Sequence, residues 1–388
     1  MKLLVAVVVS VASFLQPGPR APLAPAETLL EPGMLRAIQQ QAPNPDGPTT
    51  IKGSDAGGEI LIFCADDHCG AATRAVTRLS ALVAAKTLPQ PRRSIRLTSN
   101  FEGGTVTRAV AVLHVAERKD RPAGIVRGLW STAGIGDEVA EIFGRHFVPG
   151  IDVSSYQFVD QPGFSTFGIP ETTIVANPTV SNDNAAVITA ATAYFLATLP
   201  NAGAEALLSH LTVGAHARLA EDGRKAVAQM GTQQRASADV LIMFGQAIER
   251  EQRRMRSFES FMPKPVDPML HSRIVDMERG ITSVWTSMGI TSSPFVPAAE
   301  RIRGRGGEDR RVPRRTDREV LPKPEPPSAF LKFENADSVI FELGCLIDGN
   351  RSISDIRDVL TAEFGPIALP VVTDYIERLV KTGAVAIK

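Results

Sequence analysis

The run Glu59-Ile60-Leu61-Ile62-Phe63 constrains this chain most. A short apolar run of this kind is typical of a buried strand. A helix follows, with Ala72, Val76, Leu79 and Val83 at helical spacing. After Pro91-Arg92-Arg93 come a second strand, Ser94-Ile95-Arg96-Leu97, and a third, Ala109 to Val115. Strand, helix and strand joined by short links predict a crossover unit in an α/β sheet. Further on, the pattern predicts helices at Asp137 to Phe147, Asn184 to Leu199, Ala204 to Leu219 and Ser237 to Arg256, and a strand at Thr172 to Ala176.

Composition bounds the classes open to such a chain. The 388 residues carry 42 basic and 42 acidic side chains, which gives no reason to expect nucleic acid as a partner. Three cysteines, Cys64, Cys69 and Cys345, allow one internal disulfide and rule out a disulfide scaffold. Near the N-terminus, Lys2 precedes the apolar stretch Leu3 to Leu15, too short to span a bilayer and matched to the h-region of a signal peptide. The expected location is therefore secreted or periplasmic, with no membrane span in the mature chain. No Gly-x-Ser-x-Gly elbow, P-loop or dinucleotide fingerprint occurs. The run Arg303-Gly304-Arg305-Gly306-Gly307 does not follow a strand.

The expected organisation is a signal peptide at 1–26, a flexible lead-in at 27–54 with one short helix around Leu35 to Gln41, and an α/β core at 55–220. A helical extension at 221–298, an Arg- and Pro-rich linker at 299–328 and a small domain at 329–388 complete it. The last segment predicts helices at Ser338 to Ile347, Ser352 to Phe364 and Leu369 to Lys381, then a strand at Ala384 to Ile387. That arrangement is winged-helix-like. Ser352, with Asp355 three residues on, suits a helix start. Six basic against nine acidic residues in 329–388 make a poor DNA reader.

Three stretches carry a resemblance to a known family. They are Gly58 to Ala85, Pro91 to Gly104, and Gly168-Ile169-Pro170 with the helix through Thr189 and Ala197. Across about 55–220 the chain resembles the family-28 metallopeptidases, aminopeptidases with a mixed sheet flanked by helices and two zinc ions at the sheet's C-terminal edge. Two close zinc ions need a bridging carboxylate, imidazole and carboxylate ligands, and a glutamate base for the water between them. Ala65-Asp66-Asp67-His68-Cys69-Gly70 resembles the family's Asn-Asp-Asn-Ala-Ser-Gly, which implies that Asp66 is the bridging ligand. Phe101-Glu102-Gly103-Gly104 resembles Glu-Glu-x-Gly, which makes Glu102 a ligand and puts Phe101 where the base belongs. Leu113-His114-Val115-Ala116 resembles a strand ending Asn-Leu-Asp, so Ala116 replaces a ligand aspartate and His114 is its neighbour. Both family histidines are missing.

Plainer readings stand beside these. Asp66 can cap the helix near Gly70, Glu102 can be a turn residue, and His114 lies in an apolar run where a satisfied core histidine is common. His210 and His216 read as surface or interhelix residues. Cys64, Asp66, Asp67, His68 and Cys69 could together hold one metal ion, or Cys64 and Cys69 could form a disulfide. The candidate metal residues are thus Asp66, Glu102, His114 and His68. The chain is expected to be a degenerate relative of di-zinc aminopeptidases, binding peptides or scaffolding, with zinc sub-stoichiometric or absent. The alternative is an active aminopeptidase with an altered zinc site. The small C-terminal domain resembles the PqqD-like winged-helix domains in Phe341-Glu342-Leu343, Asp348-Gly349-Asn350-Arg351-Ser352-Ile353 and Leu379-Val380-Lys381-Thr382-Gly383, and such domains bind peptides.

Overall fold

The computed structural model describes residues 25–262 and 309–388, except 45, 56, 65–68, 100–107, 120–121, 156–168, 178–182, 231–237, 317–323 and 334–335. Between 263 and 308 it describes only 268, 271–272, 275–276 and 279. The chain divides into two compact units. Of the described residues, one takes in 25–210 and 254–262, and the other the rest.

The first unit is α/β. In chain order it holds α1 (Ala26–Leu29), α2 (Pro32–Gln40), β1 (Thr50–Ile51), β2 (Glu59–Phe63), α3 (Gly70–Ala84), β3 (Ser94–Thr98), β4 (Ala109–Glu117), β5 (Gly124–Arg127), α4 (Ile135–Phe147), β6 (Asp152–Ser155), β7 (Glu171–Ala176) and α5 (Asn184–Thr198). Two more helices, α6 (Ala204–Met230) and α7 (Ala238–Ser257), run across the division between the units. One mixed seven-stranded sheet has the order β1-β3-β2-β4-β7-β5-β6. Strands β3, β2, β4 and β7 run parallel, and β5 opposes β7.

The apolar run Glu59–Phe63 is β2, near the centre of this sheet. Leu61 and Phe63 pack with Val112 of β4 on one face, while Ile60 and Ile62 are buried on the other. His114 and Ala116 continue the Val112 row, because side chains two apart on a strand share a face. Helix α5 lies between α3 and α4. It is apolar all round, as a helix without a solvent face must be. Gly136 allows the close approach of α4: a Cβ there would stand 2.7 Å from Oγ1 of Thr172 on β7. Among the described residues no single helix is long and apolar enough to cross a membrane.

The lead-in is more ordered than its composition suggests. Leu35 and Ile38 of α2 are buried, and Arg78 of α3 donates to the carbonyls of Ile38 at 2.8 Å and Gln39 at 3.0 Å. β1 pairs with the outer side of β3. The short strands β5 and β6 were not expected. They are four residues each, and β6 carries Asp152 and two serines, so neither announces itself by apolar patterning.

In the second unit, Arg218 of α6 grips Glu251 of α7 at 2.8 Å, and Arg250 reaches Asp222 at 2.8 Å. Its C-terminal part holds β8 (Pro313–Arg315), α8 (Ala336–Leu346), α9 (Ile353–Phe364), α10 (Leu369–Lys381) and β9 (Val385–Ile387). The three helices and last strand match expectation, and Ser352 with Asp355 forms a capping box. The linker boundary does not match. Its segment 309–316 is built into the small domain: β8 pairs antiparallel with β9, Arg311 binds Glu377 of α10 at 3.0 Å, and Oγ of Ser354 accepts from the amide of Asp309 at 2.9 Å.

Candidate functional site

The resemblance directs attention to the C-terminal edge of the parallel strands. There β2 ends at Phe63, and the next residue, Cys64, is joined by a disulfide to Cys69, which precedes the first turn of α3. Of the two readings of the local cluster, the structure has the disulfide, and neither sulfur is then a thiolate ligand. Asp66, His68 and Glu102 lie outside the described residues.

At the end of β4, Ala116 is 8% exposed and packs with Val126 of β5 and Val175 of β7. This apolar patch stands where the resemblance implies a zinc-binding aspartate. The adjacent acid does not substitute for it. Glu117 points to the opposite face of the sheet, where Oε1 accepts from the amide of Ala71 at 2.9 Å and satisfies the first turn of α3. Nearby, Asp183 receives Arg74 at 2.7 Å and also Arg78, so charges at this edge are answered from within the chain.

His114 is the one sequence-predicted ligand among the described residues. It is 1% exposed, its ring lies 5.3 Å from that of Phe63, and its Nδ1 stands 3.8 Å from Oε1 of Glu171. Burial matches the core-histidine reading; full satisfaction does not, because Nδ1 makes no hydrogen bond among the described residues. Burial pushes His114 down from 6.5 to about 4. It pushes Glu171 up from 4.5 to about 8, with the Asp137 carboxylate adding to the rise. Both groups are therefore uncharged near neutral pH.

Sequence reasoning missed what surrounds this pair. The first turns of α4 bury three acids, Asp137, Glu138 and Glu141. Asp137 accepts from Thr172 Oγ1 at 2.9 Å and the amide of Gly128 at 3.1 Å, and faces Arg254 at 3.1 Å. Even so, burial outweighs the arginine and holds its carboxyl above the usual range. Glu138 lies 3.1 Å from Nε2 of His210, an interhelix contact, and Glu141 binds Arg127 and, at 2.9 Å, Arg145. The signal available beforehand was Asp137-Glu138-x-x-Glu141 interleaved with Ile135, Val139 and Ile142, acids in a stretch too apolar to be a solvated face.

The described residues do not assemble the donor set that two zinc ions need. Among them no group of three or more His, Cys, Asp or Glu side chains is placed to hold a metal ion. The buried polar cluster is suited to holding protons and fixing helices to the sheet, in a setting where each charge must be paired. No family model, curated protein or solved structure matches this chain.

Proposed function

We propose that the core, residues 55–220, is a degenerate relative of the di-zinc aminopeptidases that binds peptides or acts as a scaffold without zinc chemistry. One observation carries this reading: Ala116, at the position of a ligand aspartate, is sealed into an apolar patch with Val126 and Val175. A zinc ion there would meet methyl groups, and its charge would go uncompensated. The mixed sheet with flanking helices fits the expectation drawn from the resemblance. In this reading the C-terminal domain is a PqqD-like winged-helix unit, an assignment supported by three helices and the small β8/β9 sheet. The chain is exported in this reading, for which the h-region and the Cys64–Cys69 disulfide both speak.

The test is a panel of aminoacyl-p-nitroanilides with added zinc. No release above the blank is expected. Zinc-dependent release that Asp66→Ala abolishes would overturn the proposal in favour of an altered but working site. Anisotropy of fluorescein-labelled peptides from a casein digest, without zinc, reads the binding role: saturable binding is expected, and none across the digest leaves scaffolding alone.

A further inference from the structure

We draw no further inference here: the strongest candidate, the buried side-chain cluster of His114, Glu171 and Asp137 where β4, β7 and α4 meet, belongs to the site already described, and nothing in the structure shows what would reach or bind it.

Discussion

Glu171 and His114 tie the stability of the first unit to pH. Glu171 holds its proton to higher pH when folded, so its contribution is full below about 4.5 and is lost as pH rises through about 8. His114 is depressed, so its contribution is present above 6.5 and is lost as pH falls through about 4. Between 4.5 and 6.5 the two slopes oppose one another; from 6.5 to 8 Glu171 acts without that opposition. The unfolding free energy from urea titrations should therefore fall over that upper window, by at most about 1.4 kcal/mol per pH unit. Glu171→Gln should flatten the decline. An unchanged slope in the variant would place the titrating group elsewhere. At Ala116 the expectation is that Ala116→Asp costs about 3 kcal/mol or more, because it buries a carboxylate against Val126 and Val175. If this variant were as stable as the parent and gained zinc, the apolar reading of the patch would be wrong.

Elements that declare themselves locally were legible. Helix α10 occupies the predicted span, and the start of α9 follows from Ser352 and Asp355, whose capping box needs no distant partner. Strand β8 was hidden because Pro313, Arg314 and Arg315 look like linker. Their strand character comes from pairing with β9, at the far end of the small domain and beyond the reach of local patterning. The acids of α4 were hidden for a similar reason: the helix could be read, but Arg254, His210 and Arg127, which make their burial tolerable, lie on other elements. These differences set where the small domain should be cut. A fragment of residues 309–388 should melt cooperatively and at higher temperature than one of 325–388, which lacks β8 and leaves β9 without its partner. Equal melting temperatures would mean that β8 adds nothing to the fold. The Cys64–Cys69 bridge closes a short loop, so Cys64→Ser with Cys69→Ser should cost only about 2 kcal/mol. Loss of all cooperative unfolding in that double variant would contradict this.

For the whole molecule, the α/β class and the order of most elements could be read from apolar spacing, whereas the site could not. Patterning reports which face of a strand is buried, not what lies across from it. Thus His114 was rightly placed in a strand, but its neighbours Phe63 and Glu171 come from β2 and β7. The core is proposed to be a degenerate relative of the di-zinc aminopeptidases without zinc chemistry. The most direct measurement is the zinc content of the full chain, by plasma mass spectrometry, after incubation with excess zinc and desalting. Far less than one zinc per chain is expected. One or more zinc ions per chain, lost in both Asp66→Ala and Glu102→Ala, would contradict it.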